Sequence, residues 1–189
     1  MAISPDNRYL AMGAGQVEGL VSVFDLTNFA LSGEWRVLGF DVLPSNSKLI
    51  ALGDSRGVVR VFDVETKQFE TEIETGLALQ SVRWLDSTTV VASTKTGAIV
   101  FVNLKTGTVE KLESSFDELS SVDVSDDGQV VIGVGSDSTG DGQVILWQQI
   151  DGRWLKDRKT FGLQVLSASV SPDGKRVFSG DVSGAVTVW

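Results

Sequence analysis

The sequence predicts an all-β fold built from about five four-stranded antiparallel units, the last of them incomplete. Three observations support this prediction. A module recurs about every forty residues, which is the repeat length of a β-propeller blade. Apolar residues alternate with other residues ahead of each turn, which is the period of a pleated strand. No 3.6-residue periodicity persists long enough to indicate a helix.

The module is recognised by a turn-forming tetrad and by a position late in the repeat that is usually aromatic. The late positions lie 38, 40, 45 and 42 residues apart and are occupied by Phe24, Phe62, Val102, Trp147 and Trp189. The tetrads are Ser4–Asn7, Leu43–Asn46, Trp84–Ser87, Ser125–Gly128 and Ser171–Gly174. The resulting repeats are approximately 1–37, 38–78, 79–118, 119–164 and 165–189, and together we interpret them as a single partial propeller.

Each strand of the repeat has its own pattern. The first strand alternates, as in Val122 and Val124 around Asp123. The second, such as "KLIALG", is almost continuously apolar, which is expected for a strand buried on both faces. The third follows a glycine-containing turn and is again apolar, as in "VVRVFDV". The fourth, such as "QFETEIE", is charged, as expected of an outer strand that must resist edge-to-edge aggregation.

Composition narrows the possible functions. The chain has 189 residues, a net charge of −9 and neither cysteine nor histidine. Ser-His-Asp and Cys-His catalysis and the usual zinc ligand sets are therefore excluded within it. An acidic surface repels phosphate backbones, so we expect no nucleic acid partner. No apolar run approaches the length of a membrane span and no signal peptide is visible, so we expect no membrane partner and a cytoplasmic location.

Several segments resemble the WD-repeat family, and the resemblance covers essentially the whole chain. The segment "SVSPDGKRVFSGDVSGAVTVW" is the most similar, and Phe24-Asp25 and Phe62-Asp63 stand where the family has its Trp-Asp pair. The repeats are degenerate, because the family's Gly-His pair cannot occur without histidine. The family's turn aspartate position is occupied by Glu18, Arg56, Thr96, Asp141 and Ser183. A propeller of another family is the alternative.

The two ends of the sequence bear on how many blades the propeller has. Neither end supplies a fourth strand for the last repeat, so we expect a piece of a longer ring, of about seven blades. A closed ring of five is the alternative. Expressed alone, the piece is expected to self-associate through exposed blade faces.

The stretch "SDSTGDG", residues 136–142, permits two interpretations. Asp137, Thr139 and Asp141 alternate as calcium ligands do, but the twelfth position counted from Asp137 is Gln148 rather than a bidentate carboxylate. The other interpretation, which we favour, is an elongated turn between the second and third strands, with glycines at its bends. No metal or other cofactor is expected.

The resemblance implies a protein–protein interaction scaffold without catalysis, whose loops contact a protein or peptide. Because most loop charges are acidic, a basic partner is expected, and other domains of a longer chain could also pack here. The alternative is a propeller hydrolase or lyase that uses carboxylates or calcium in the central channel, where Asp41 and Asp123 would lie. Trp35 and Trp154 could be interface aromatics, although packing between blades is favoured. The candidate binding residues are Glu18, Asp54, Arg56, Lys95, Asp137, Asp141 and Asp181 in one loop set, and Phe116 and Phe161 in the other.

Overall fold

The computed structural model describes residues 1–14, 19–42, 48–112, 118–160 and 163–189. Within these ranges the chain forms nineteen β-strands and no helix. The described part of the chain accordingly contains no helix with the length and apolarity needed to cross a membrane.

The strands form five antiparallel sheets in chain order. The first sheet contains β1 (Ala2–Ile3), β2 (Tyr9–Ala14), β3 (Gly19–Asp25) and β4 (Ala30–Val37). The second contains β5 (Gly39–Val42), β6 (Leu49–Gly53), β7 (Val58–Asp63) and β8 (Gln68–Glu74). The third contains β9 (Leu79–Trp84), β10 (Thr89–Thr94), β11 (Ile99–Asn103) and β12 (Val109–Leu112). The fourth contains β13 (Glu118–Val124), β14 (Val130–Ser136), β15 (Gly142–Ile150) and β16 (Arg153–Thr160), and the fifth β17 (Val165–Val170), β18 (Val177–Asp181) and β19 (Val186–Val188).

Every sheet is a meander in which each strand pairs with the next strand along the chain. Four of the sheets have four strands and the fifth has three. This is the strand order of propeller blades, and it confirms the predicted fold class of an all-β chain made of repeated antiparallel sheets.

The described chain divides into two compact units. The first comprises Met1–Ala92 and Phe101–Glu110, and the second comprises Ser93–Val100 and Lys111–Trp189. The first and second sheets lie wholly in the first unit, the fourth and fifth sheets lie in the second, and the third sheet contributes residues to both.

The core of the first unit forms where one face of the first sheet packs against the second sheet. Tyr9, Ala11, Val21 and Val23 belong to that face of the first sheet, and all are at most 3% exposed. The second sheet meets them with Ile50, Leu52, Phe62 and Val64. We call the face that a sheet turns toward the next sheet in the chain its forward face, and the opposite face its rear face.

The second unit repeats this arrangement with the fourth and fifth sheets. The forward face of the fourth sheet supplies Ile132, Val134 and Val144, and the rear face of the fifth supplies Val165, Val170 and Val177. The second strands are almost entirely buried in three of the sheets, namely β6, β10 and β14. This burial explains why their sequences are continuously apolar.

Trp35 joins the first two sheets. It lies in β4, and its ring centroid is 4.3 Å from that of Phe62 and 6.0 Å from that of Phe69, both in the second sheet. The two phenylalanine rings are themselves 5.4 Å apart in an edge-on arrangement. The indole therefore packs between blades, which was the favoured interpretation of this residue.

Replacing Trp35 with alanine is expected to lower the free energy of unfolding by about 2 kcal/mol, less than for a fully buried tryptophan because this one is half-buried. Trp35→Phe should keep most of the ring contact and lose less. Urea denaturation of both variants tests this. If Trp35→Ala unfolds at the wild-type midpoint, the ring does not join the sheets.

Candidate functional site

The loops that connect the second and third strands share one backbone turn. We call them the middle loops; the described ones are residues 54–58, 94–98, 137–141 and 181–185. In each, the amide of the fourth residue donates to the carbonyl of the first, at 2.9–3.1 Å. The fourth residue is a glycine with positive φ in every case: Gly57, Gly97, Gly140 and Gly184. Glycine adopts this conformation without the strain that a side chain would add.

A side-chain oxygen on the first residue of each middle loop fixes the turn. Asp54, Asp137 and Asp181 accept the amide of the fifth residue at 3.1–3.2 Å and the amide of the third at 2.9–3.0 Å. Thr94 accepts the amide of Ala98 through its hydroxyl at 3.0 Å. Such bonds from a short polar side chain to nearby amides are those that stabilise tight turns. These oxygens are therefore engaged within the loops.

The middle loop of the second sheet adds a charged network to this turn. Asp54 is 3% exposed, and its Oδ2 accepts bonds of 2.9 Å from Arg60 Nη1 and from Arg56 Nη2. Arg60 continues to Glu72 in β8, with 2.8 Å between its Nε and Oε2. The Arg56 side chain is 72% exposed although Asp54 holds its guanidinium. The network thus fixes the position of an arginine that solvent can reach.

The stretch "SDSTGDG" is the same turn. Asp137 Oδ1 accepts the amide and the hydroxyl of Thr139 and the amide of Asp141, and Oδ2 accepts Gln143 Nε2 at 2.6 Å. No group of three or more Asp or Glu side chains that could hold a metal ion occurs among the described residues. The turn interpretation accounts for this geometry, because both carboxylate oxygens of Asp137 accept hydrogen bonds from its own loop and from Gln143 in the following strand, β15.

The turn is not elongated, however, and this corrects the sequence interpretation. Asp137–Asp141 spans the same five residues as Asp54–Val58. The extra length of the fourth repeat lies in both strands of this hairpin: β14 has seven residues where β6 has five, and β15 has nine where β7 has six. Counting back from Trp147 therefore places the family's turn position two residues too late, at Asp141. Thr139 rather than Asp141 stands where Arg56, Thr96 and Ser183 stand in their loops.

The predicted binding residues of the middle loops differ in accessibility. Arg56 and Lys95 are exposed, Asp137, Asp141 and Asp181 are half-buried, and Asp54 is buried. Arg56 and Asp54 lie together in the first compact unit, and the other four lie in the second. Glu18, Phe116 and Phe161 lie outside the described residues.

The structure gives the two proposed channel carboxylates a role between sheets. Asp41 Oδ2 accepts the amide of Trp84 at 3.0 Å, which links the first strands of the second and third sheets. Asp123 Oδ2 accepts the amide of Val170 at 3.0 Å and the hydroxyl of Ser169 at 2.8 Å, which links the fourth sheet to the fifth. The same position in two repeats thus makes the same connection to the following sheet.

Sequence reasoning missed three residues that shape the middle loops. Thr94 replaces aspartate as the turn acceptor, Arg60 connects Asp54 to Glu72, and Gln143 donates to Asp137. Thr94 could have been found by aligning the loops on their glycines rather than on the late aromatic position. Arg60 and Gln143 act through side-chain direction, which strand periodicity does not reveal.

The hydrogen bonds of the middle loops lower the pKa of their aspartates. The hydroxyl of Thr139 is the main cause of the lowered pKa of Asp137, and that of Ser183 is the main cause for Asp181. Burial alone would raise the pKa of Asp54, but the bonds from Arg60, the Val58 amide and Arg56 outweigh it and lower the pKa. In all three cases the ionised form is the one that the fold stabilises.

These shifts predict acid sensitivity. A carboxylate with a lowered pKa in the folded state contributes stability that is present above its unfolded pKa of about 3.9. That contribution is lost as the pH falls through the folded pKa. We expect the melting temperature to fall below about pH 4, and to fall less steeply in Asp137→Asn/Asp181→Asn. Thermal melting from pH 7 to pH 3 tests this with Glu110→Gln as the control. Equal slopes in wild type and the double variant would contradict it.

In the turns between the third and fourth strands, the aspartate that follows the late aromatic position accepts the amides of the turn. Asp63 Oδ1 accepts the amides of Glu65 and Thr66 at 2.7 and 3.0 Å. Asp25 Oδ1 accepts the amide of Thr27 at 2.9 Å, and its Oδ2 also accepts Arg8 Nη2 at 3.2 Å. In Phe62-Asp63 a buried ring therefore stands beside a carboxylate that closes a turn, and Asp25 closes the equivalent turn after Phe24.

A comparison with protein-family models gave a match in the last part of the chain. Residues 156–189 match the family model described as WD domain, G-beta repeat. A search of curated proteins found no matching relative. WD40 repeats generally mediate protein–protein interactions. The WD40 repeat at residues 156–189, within an all-β chain of repeated four-stranded sheets, confirms the resemblance to the WD-repeat family.

Proposed function

We propose that the chain is a protein-interaction scaffold whose middle loops contact partner proteins. The observation that carries this proposal is that four loops share one turn, fixed by the first and fourth residues, while the second and third residues vary. Those central pairs are Ser55-Arg56, Lys95-Thr96, Ser138-Thr139 and Val182-Ser183. A constant framework that carries variable side chains is the usual arrangement of binding loops.

Arg56 is the strongest single contact candidate. Its guanidinium is held by Asp54 through Nε at 3.2 Å and Nη2 at 2.9 Å, while most of the side chain stays in solvent. Fixing a flexible side chain before binding reduces the entropy that a partner must overcome. Arginine is also among the residues enriched at interface hot spots. Asp54 itself is buried, so we assign it a positioning role.

The loops of the second compact unit offer a mixed surface. Lys95 is exposed and makes no ion pair with any described residue. Val182 is 49% exposed, and the carboxylates of Asp141 and Asp181 are partly accessible. This mixture of a cation, an apolar side chain and carboxylates suits a protein or peptide surface better than a small molecule.

The net charge of −9 supports a partner with a basic face. Long-range attraction of this kind accelerates association and weakens as salt screens it. Association rates that fall between low and physiological salt would agree with a basic partner, and rates that rise would indicate an acidic one.

Three further assignments belong to the same proposal. We propose that the chain does no chemistry of its own, since Asp41 and Asp123 are engaged between sheets. We also propose a cytoplasmic location, which cell fractionation tests. Finally, we propose that the chain is a single partial propeller that packs against other domains of a longer protein. Sequencing the reading frame on both sides of the chain tests this.

Quantitative affinity capture tests the proposed surface. The bait is the whole chain, compared with Arg56→Glu and with Lys105→Glu as a matched control. Lys105 is also an exposed cation, but it lies in the turn between β11 and β12. We expect Arg56→Glu to lose partners at least about tenfold, as a hot-spot change does, while Lys105→Glu keeps them. Equal losses in the two variants, at equal melting temperatures, would contradict the assignment to the middle loops.

A further inference from the structure

The outer strand of the fourth sheet, β16, carries an unusual concentration of positive charge. Its eight residues include one carboxylate, Asp157, and four of the sixteen lysines and arginines of the chain, which are Arg153, Lys156, Arg158 and Lys159. This local charge of +3 occurs in a chain whose net charge is −9. The outer strands of the first three sheets differ: β4 and β12 each hold one cation and one carboxylate, and β8 holds three carboxylates and no cation.

The same strand forms an open edge of its sheet. All eight residues of β16 pair with β15, and no described strand pairs with its other side. The next strand of the chain, β17, begins the fifth sheet instead. The open edge therefore lies within the chain rather than where the sequence begins or ends. An edge strand of this kind presents backbone N–H and C=O groups with which another chain can pair.

The edge is long because the hairpin of β15 and β16 projects beyond the rest of its sheet. The last residue of β15 that pairs with β14 is Gln148, but β15 continues to Ile150, which pairs with Arg153. As a result β16 has eight residues where β12 has four. A longer edge offers more main-chain hydrogen bonds to an added strand, and such bonds supply the affinity in this mode of recognition.

Two of the cations in β16 are available to a partner. Arg153 and Lys156 are exposed, and neither forms an ion pair with a described residue. By contrast, Arg8, Arg56 and Arg60 are each held by a carboxylate of the same fold. The fold therefore leaves the charges of Arg153 and Lys156 to solvent.

We propose that β16 binds an extended acidic segment of a partner protein, which adds to the fourth sheet as a fifth strand. Opposite charges that face each other across two strands stabilise the pair, and like charges destabilise it. The basic residues thus oppose pairing of β16 with the β16 of a second copy, and they favour a strand rich in glutamate or aspartate. Main-chain bonds hold the segment along the edge, and its carboxylates contact Arg153 and Lys156.

This surface is independent of the middle loops and selects a partner of the opposite charge. The middle loop of the fourth sheet precedes β15, whereas the open edge belongs to β16. Arg56, the main contact residue proposed for the middle loops, lies in the other compact unit. Loss of binding at one surface is therefore expected to leave the other intact.

Fluorescence polarisation with a synthetic probe tests the proposal on the whole chain. The probe is a labelled eight-residue peptide of alternating glutamate and threonine. One control peptide has lysine in place of each glutamate. Another is the glutamate peptide N-methylated at its two central residues, which removes a main-chain donor from each edge and keeps the charge. Physiological salt screens the net charge of the chain beyond about 8 Å, so that local contacts decide the affinity.

The variant that tests the edge is Arg153→Glu/Lys156→Glu, and the matched control is Lys67→Glu/Lys105→Glu. The control makes the same change of charge at two exposed cations in the turns between third and fourth strands. Melting temperatures are measured for both variants. If Arg153→Glu/Lys156→Glu melts earlier than wild type, Arg153→Gln/Lys156→Gln takes its place.

We expect the glutamate peptide to bind wild type and the control variant equally, and to bind Arg153→Glu/Lys156→Glu at least about tenfold more weakly. The lysine peptide should not bind, and N-methylation should weaken binding to wild type. Failure of the glutamate peptide to bind wild type overturns the proposal. Equal affinities for the two double variants, or an N-methylated peptide that binds as well as its parent, also overturn it.

Sedimentation velocity of the chain alone distinguishes a partner protein from a second copy. Self-association of wild type that Arg153→Glu/Lys156→Glu abolishes would identify the acidic β8 of another copy as the occupant of the edge, and would overturn the proposal. A mass distribution that is the same in wild type and in this variant supports it.

Discussion

Gly39→Ala is expected to lower the free energy of unfolding by about 3 kcal/mol, which is large for the addition of one methyl group. A Cβ at this position would lie 2.5 Å from the Cα of Ser81 and 2.6 Å from the amide nitrogen of Val82. Both atoms belong to the backbone of β9, so no side-chain rotation relieves the overlap. The strands β5 and β9 would have to separate.

Separation of these strands has a second consequence. Two residues beyond Gly39, Asp41 accepts the amide of Trp84 at 3.0 Å, and its carbonyl accepts the indole Nε1 of Trp84 at 3.2 Å. Trp84 is 4% exposed, so its amide would lose its partner without gaining water. The effect of the methyl group is therefore expected to extend along the pair of strands.

Chemical denaturation followed by circular dichroism measures the change. Gly180→Ala is the control, since a Cβ there would have only Ser167 Oγ nearby, at 3.9 Å. This control should be neutral or slightly stabilising, because alanine restricts the unfolded chain more than glycine does. A Gly39→Ala midpoint equal to that of Gly180→Ala would show that the two strands do not approach this closely.

Asp54→Ala is expected to lower the free energy of unfolding by about 3 kcal/mol. This is at the low end of the range for breaking a buried ion pair, because the Arg56 side chain is exposed. The change removes the acceptor of the Arg56 and Val58 amides and leaves Arg60, whose side chain is 18% exposed, without one of its two carboxylates. Buried donors that lose an acceptor carry most of this cost.

Asp54→Asn separates the two contributions. The asparagine carbonyl can still accept the amides of Arg56 and Val58, but the charge that holds Arg60 and Arg56 is lost. We expect a loss of stability between that of wild type and that of Asp54→Ala, and weaker partner binding where Arg56 is the contact. Thermal melting with binding assays on both variants decides this. If Asp54→Asn is as unstable as Asp54→Ala, the charge rather than the turn is the main contribution.

Much of the fold follows from local patterns in the sequence. The spacing of the tetrads and late aromatics predicted five sheets, because each sheet is a meander of neighbouring strands with short turns. Continuous apolar runs such as "KLIALG" predicted buried second strands, and β6 is buried along nearly its whole length. These features depend on residues close together in the chain, which is why sequence reasoning reached them.

The candidate site was predicted less completely, because side-chain direction and contacts between sheets decide it. The sequence indicated a surface carboxylate at Asp54, but in the structure Arg60 and the amides of the turn surround it. The bonds of Asp41 and Asp123 to amides 43 and 47 residues away connect neighbouring sheets, and strand periodicity does not reveal such contacts. The fourth loop was misaligned because two extra residues extend β15 rather than the turn. Arg56 and Lys95 were predicted as surface residues, and both are exposed.

The central claim is that the middle loops are fixed turns whose central residues meet partner proteins. Hydrogen-exchange mass spectrometry of the whole chain, with and without a captured partner, tests it most directly. The account predicts that binding slows exchange in peptides covering residues 54–58, 94–98, 137–141 and 181–185, and leaves the turns at 25–30, 63–68 and 103–108 unchanged. Slower exchange confined to those three turns, with the middle loops unaffected, would contradict it.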